Sequence, residues 1–306
     1  MSTVIAGTRL HFGLFAADGR FGGCGLMIRE PAVVLSINHG RDGWTSTGSL
    51  AERALGFARH IWRGTDTAGG HIHADGPPEH VGLGVGTALG LAVARGMAGC
   101  MLPSPKAYDQ AKMVGRGRRS GIGVHGFRLG GFLVDAGKPA ADALPELAGR
   151  CDFPAEWRVV LVRPRTAVRW SGDREEAVFH RRHDTTRAAE MSALALDTLL
   201  PAARAADFAG FTTALGEYNR RAGEPFAADQ GGPYAGPQVT AVVETLKGWG
   251  WAGVGQSSWG PTVFVICPDE PSAVALQKRC WNQMPNLERV TMTAARNEPA
   301  AQLDTD

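Results

Sequence analysis

Apolar residues along this chain switch between a spacing of two and a helical spacing, and the switches mark its elements. Thr3–Ile5 and Arg9–Phe15 read as strands closed by a polar turn at Asp18–Arg20. The glycine-rich stretch from Gly22 to Ile28 leads to Pro31, after which the β-branched run Ala32–Ile37 reads as another strand. Leu50, Ala54, Phe57, Ala58 and Ile61 recur at helical spacing, so Leu50–Arg63 predicts an amphipathic helix. Gly69–Ala74 predicts a short strand, stopped by Pro77 and Pro78. Thr87–Met97 is apolar nearly all round, the pattern of a buried helix. Pro105–Val114 reads as a helix with proline in its first turn, Gly121–Gly126 as a turn-rich segment, and Gly130–Val134 as a strand.

The texture changes at Lys138–Pro154, rich in proline and alanine, and a domain boundary is expected there. Arg158–Val162 opens a second unit as a strand, followed by helices over Ala188–Pro201 and Asp207–Ala222 and a Gly/Pro loop over Ala227–Gly236. Pro237–Trp249 and Ser272–Trp281 predict helices, Thr262–Cys267 and Arg289–Ala294 strands. The expected division is 1–152, 153–296 and a frayed polar tail over 297–306.

Composition narrows the classes. With 44% hydrophobic and 20% charged residues among 306, the chain is globular rather than disordered, and long enough for a substantial core. A formal net charge of +2 gives no support for a nucleic-acid binder. The 41 glycines, about twice the usual share, imply many close backbone approaches. The 5 cysteines are odd in number and form no CxxC pair, so free thiols in a reducing cytoplasm are expected. No apolar run reaches membrane-spanning length, and Met1–Arg9 lacks the features of a secretion signal. A cytoplasmic protein is therefore expected.

Three segments are candidates for chemistry. Pro78–Thr87 carries Gly82, Gly84 and Gly86 into a helix, where backbone N–H groups and the helix dipole favour an anion. No Gly-Lys-Ser/Thr follows, so it is not a Walker A loop. The same glycines would also serve to seat a helix on a sheet. Gly115–Gly123 sets Arg116, Arg118 and Arg119 among glycines, suited to phosphate oxygens or simply to a solvated basic loop. Gly253–Thr262 offers Gln256, Ser257 and Ser258 as neutral hydrogen-bonding groups and Trp259 as an apolar platform, or forms a tight hairpin. His71 and His73 share one strand face and could contribute to a metal site, although no third ligand is evident; His180 and His183 read as surface residues. Asp135 follows a strand and either binds Mg²⁺ or ends that strand.

Together these segments resemble the GHMP kinase superfamily. Pro78–Thr87 looks like its second motif, with Arg9–Gly13 and Gly253–Thr262 where the first and third would lie. Within it, Arg9–Leu14, Arg20–Leu26, Gly115–Gly123, Gly130–Asp135 and Gly255–Pro261 resemble the β-ribofuranosylaminobenzene 5′-phosphate synthases. The resemblance implies two α+β domains, one like ribosomal protein S5 domain 2 and one ferredoxin-like, and a homodimer. It implies a Mg²⁺-assisted reaction of phosphoribosyl diphosphate with 4-aminobenzoate (or 4-hydroxybenzoate) that releases diphosphate and CO₂, an early step of tetrahydromethanopterin biosynthesis. An ATP-dependent small-molecule kinase and a binding module without turnover are the alternatives.

On that resemblance, Gly82, Gly84, Gly86, Thr87, Arg116, Arg118 and Ser120 are expected to hold diphosphate. Arg9, His11 and Arg119 are expected at the reacting centre, Gln256, Ser257, Ser258 and Trp259 at the aromatic acid, and Thr87 and Asp135 at the metal. Neutral donors suit the carboxylate because a strong arginine pair would stabilise it against loss of CO₂. Kinases of the superfamily usually carry two serines in the second motif where this chain has Val85-Gly86, which weakens the kinase reading.

Overall fold

The computed structural model describes the chain apart from 18–19, 41–42, 63–68, 99–105, 141–142, 167–184 and 305–306. Two long strands, β1 (Ser2–Ala17) and β2 (Arg20–Gly40), form an antiparallel hairpin that scaffolds the first sheet. The length of β2 lets its first part pair with β5 (Phe132–Asp135) and its second part with β4 (Gly69–Asp75). Glu30 and Pro31 sit in a bulge, where register shifts between Gly7 and Thr8. A proline, lacking an N–H, is tolerated there without ending the strand. β3 (Trp44–Thr47) runs parallel to β4, and α1 (Ala51–Ile61) lies between them in the chain, burying Ala54, Phe57 and Ala58.

Three more helices complete this half: α2 (Val85–Met97), α3 (Ala107–Met113) and α4 (Ile122–Leu129). The fourth corrects the turn expected at Gly121–Gly126. Its glycines are contact surfaces rather than breaks: a Cβ on Gly126 would stand 2.2 Å from Met27 Sδ. Ile122, Val124 and Phe127 are buried. The segment 138–154 also holds an unexpected strand, β6 (Leu147–Cys151), paired with β5.

The second sheet is antiparallel, in the order β10 (Leu287–Ala294), β7 (Arg158–Pro164), β9 (Val263–Cys267), β8 (Val254–Gln256). That order with its intervening helices is the ferredoxin-like β-α-β-β-α-β arrangement. Between β7 and β8 run α5 (Thr185–Ala193), a π turn (Leu194–Leu199), α6 (Leu200–Arg204), α7 (Phe208–Gly223), α8 (Ala227–Gln230) and α9 (Gly236–Gly248); α10 (Glu270–Gln283) joins β9 to β10. The π turn immediately precedes α6, whose Pro201 supplies no N–H to the helix ladder. One apolar cluster joins the two halves through Phe12, Phe132, Phe211 and Phe264.

Residues 301–304 of the expected tail are not frayed. β11 (Ala301–Asp304) pairs antiparallel with β1 and extends the first sheet, because its backbone satisfies an otherwise open edge. Cys24, Cys151, Cys267 and Cys280 are buried free thiols; Cys100 lies outside the described residues. No helix among the described residues is long and apolar enough to cross a membrane.

Candidate active site

Gly82, Gly84 and the first turn of α2 line a cavity of about 470 Å³. Gly82 (φ 85°) and Gly84 (φ 67°) take left-handed backbone that a side chain would strain. Gly84 is the residue before the helix, so the amides of the turn that follows face the cavity. A Cβ on Gly84 would stand 2.7 Å from Arg9 Cγ, and one on Gly123 3.0 Å from Thr87 Cγ2 and 3.8 Å from Arg9 Nε. The starts of α2 and α4 therefore meet, with the Arg9 side chain between them. Two helix N-termini and a guanidinium converge on one space, a strong preference for negative charge.

The wall is basic. Arg9, Arg53, Arg116, Arg118 and Arg119 line the cavity, and Glu79 is the one carboxylate among its described lining residues. Burial, then the neighbouring Arg53 charge, press the Arg116 guanidinium below its ordinary value, with Glu79 opposing. It stays charged, as an arginine does. Its Nε is buried without a hydrogen-bond partner.

Part of the lining is apolar with polar edges. Trp259 meets Phe226 edge to face, ring centroids 4.4 Å apart, beside Leu14, Ala222 and Pro233. Gln256 lines the cavity, but its amide is engaged: Nε2 donates to the Ser258 carbonyl at 2.8 Å and Oε1 accepts from Ala235 N at 2.7 Å. Asn219 Nδ2 donates to the carbonyls of Phe12 (2.6 Å) and Gln256 (2.9 Å), tying α7 to β1 and β8.

Behind the basic wall lies a buried chain of hydrogen bonds. Gly13 N donates to His11 Nδ1 at 3.2 Å, which puts the ring proton on Nε2; that atom stands 3.0 Å from Ser120 Oγ. Ser120 Oγ in turn donates to Asp135 Oδ2 at 3.0 Å, and Gly121 N donates to the same oxygen at 2.8 Å. Burial, with the charges of Arg9 and Arg119, holds the His11 imidazole well below its ordinary value and neutral. Burial pushes the Asp135 carboxyl up to about 7, against the hydrogen bonds from Gly121 and Ser120.

Most of the residues singled out by sequence come together on this cavity: Arg9, His11, Gly82, Gly84, Gly86, Thr87, Arg116, Arg118, Arg119, Ser120, Gln256, Ser258 and Trp259. Two do not. Asp135 is fully buried behind Ser120 and does not line the cavity, so the expected metal contact there is replaced by a structural one. Ser257 is likewise fully buried, its hydroxyl turned toward Gly82 and His11 rather than toward a ligand. Ser120 reaches the cavity, but its hydroxyl is committed to His11 and Asp135. Sequence reasoning missed Arg53, Asn219, Phe226 and Gln230. Asn219 carried a signal: it interrupts an apolar stripe at Phe211, Leu215, Tyr218 and Ala222.

No group of three or more His, Cys, Asp or Glu suited to a metal occurs among the described residues. His71 and His73 on β4 bond instead to Thr45 and Thr47, and His73 to Asp75 at 3.0 Å; His180 and His183 lie outside the described residues. The cavity does offer Glu79 and the Thr87 hydroxyl. That pair fits a Mg²⁺ ion delivered on phosphate oxygens, which needs only one or two protein contacts.

Residues 199–286 match the family model of the GHMP kinases C-terminal domain. The chain is 29% identical to the beta-ribofuranosylphenol 5'-phosphate synthase of Methanothermobacter thermautotrophicus, over 96% of this chain and 96% of that protein. It is also 29% identical to the enzyme of that name from Archaeoglobus fulgidus, over 95% and 96%. Among solved structures it resembles homoserine kinase from Cytophaga hutchinsonii (TM-score 0.69, 12% identity, 99% and 97% covered). It also resembles mevalonate diphosphate decarboxylase from Staphylococcus aureus (TM-score 0.65, 12% identity, 99% of each). The chain thus has the α+β fold of the GHMP kinases and is similar along nearly its whole length to the beta-ribofuranosylphenol 5'-phosphate synthases.

Proposed function

We propose that this protein joins phosphoribosyl diphosphate to 4-aminobenzoate, releasing diphosphate and CO₂ and forming β-ribofuranosylaminobenzene 5′-phosphate. The observation that carries the reading is that one cavity combines two kinds of lining. Two helix starts and a set of arginines suit a diphosphate, and the Trp259–Phe226 pair suits a flat ring. The near-full-length likeness to synthases of this class supports it.

In this mechanism the C1–O bond of the ribose breaks and its electron pair leaves with diphosphate. Arg9, Arg116 and the α2 amides stabilise the charge that builds on the departing oxygens. The para-amino group pushes electron density to the ring carbon bearing the carboxylate, and that carbon bonds to C1. The C–CO₂ bond then breaks and returns its pair to the ring. A bound Mg²⁺, contacted by Glu79 and Thr87, would supply further charge neutralisation to the leaving group. No side-chain nucleophile takes part; the residues orient two substrates and exclude water. Neutral His11, with Nε2–H held by Ser120, keeps an additional positive charge away from the substrate carboxylate.

A second reading changes the para group. The relatives' name specifies a ribofuranosylphenol, which favours 4-hydroxybenzoate. The test is CO₂ release from each carboxyl-labelled acid, with and without phosphoribosyl diphosphate and Mg²⁺. Release that needs the cosubstrate supports the synthase, and the better acid names its substrate. No release from either acid, with ATP consumed alongside a small alcohol, would replace it by a kinase.

A further inference from the structure

Glu79 is the one acidic side chain among the described residues of the cavity lining, beside five arginines, and its position is specific. A Cβ on Gly86, in the first turn of α2, would stand 3.0 Å from Glu79 Oε1 and 3.0 Å from Arg116 Nη2. The same Oε1 lies 3.5 Å from Arg53 Nε. Both guanidinium groups rest on the Phe57 ring, Arg53 at 4.9 Å and Arg116 at 5.2 Å from its centre. A carboxylate oxygen therefore occupies a helix start between two arginines, where a phosphoryl oxygen is ordinarily held. Arg116 Nε, on the same guanidinium, is buried with no hydrogen-bond partner.

We propose that Glu79 is an internal stand-in for a substrate oxyanion and makes diphosphate binding depend on a divalent cation. The inference rests on the reading that this cavity takes a diphosphate. In the free protein Glu79 offsets the repulsion between Arg53 and Arg116 and keeps both in place. A bare diphosphate entering beside it meets like charge. A diphosphate carrying Mg²⁺ does not, because the carboxylate becomes a contact for the cation while the arginines pass to the phosphoryl oxygens. Glu79 thereby selects the metal complex over the free anion.

The test is calorimetric titration of inorganic diphosphate into the full-length protein and into Glu79→Gln, each with Mg²⁺ and with a chelator. In the unaltered protein Mg²⁺ should tighten binding. Glu79→Gln should bind metal-free diphosphate about tenfold more tightly than the unaltered protein, the size of one charge-assisted contact, and lose most of the Mg²⁺ effect. Glu79→Asp should recover part of that effect. Equal Mg²⁺ enhancement in the unaltered protein and Glu79→Gln, with metal-free affinity unchanged, overturns the proposal while leaving the diphosphate site intact. No binding of diphosphate to any variant in either condition overturns the cavity reading and this proposal together.

Discussion

Ser257 Oγ donates to the carbonyl oxygen of Gly82 at 2.7 Å, although the two residues are 175 positions apart. The same hydroxyl accepts His11 N at 3.0 Å. One buried atom thus pins the glycine loop, β1 and the β8–β9 hairpin, which all contribute to the cavity lining. The left-handed glycine is part of the contact: a Cβ on Gly82 would stand 2.4 Å from the Ser257 carbonyl oxygen.

Ser257→Ala leaves a buried carbonyl and a buried amide without that partner. The expected loss is about 1–3 kcal/mol of stability, read as a lower urea midpoint. Ser258→Ala, which alters a half-buried hydroxyl, should stay within about 0.5 kcal/mol of the parent. Equal effects of the two would refute the pinning role.

Trp259 and Phe226 form one edge-to-face pair in the cavity lining. Trp259→Ala should raise KM for the aromatic acid by about tenfold, as the loss of a buried aromatic contact does, and raise KM for phosphoribosyl diphosphate much less. Phe226→Ala should act in the same direction, and the double variant should fall short of the product of the two. Equal KM changes for both substrates would remove the pair from the aromatic subsite.

Asp135 predicts a pH signature. Its folded-state value is raised from 3.8 to about 7, so its contribution to stability is fully present below about 3.8 and is lost as pH rises through about 7. His11 runs the other way: its value is lowered, so its contribution is present above 6.5 and lost as pH falls. The difference isolates Asp135. Stability of the parent minus that of Asp135→Asn should decline between about pH 4 and 7 and level off above. Urea titrations across that range check it, and a flat difference would show that the carboxyl is not perturbed by burial.

The glycine loop, the arginine cluster and the Gly253–Thr262 segment were legible because their chemistry is local. Backbone N–H groups at a helix start, guanidinium forks and left-handed glycines behave alike in any fold. Asp135 was not legible in the same way. A carboxylate after a strand reads equally well as a metal ligand or as a buried acceptor, and only the packing of Ser120 and Gly121 over it decides between them. Ser257 and Ser258 are neighbours of like chemistry, yet one is fully buried and the other faces the cavity, because φ at Ser258 is 55° and the chain turns between them.

The sequence by itself determined the periodicities of most elements, the glycine-rich loop at a helix start and the family likeness, since these depend on neighbours within a few residues. Tertiary structure alone decided the rest. It turned Gly121–Gly126 into a helix start facing that of α2, because those glycines pack against residues distant in the chain, Gly123 against Thr87 and Gly126 against Met27. It bound 301–304 to the edge of β1. It brought Arg53, from α1, beside Glu79 and Arg116. Contacts between residues distant in the chain depend on how the elements are stacked, and a hydrophobic pattern specifies which face of an element is buried but not what lies against it.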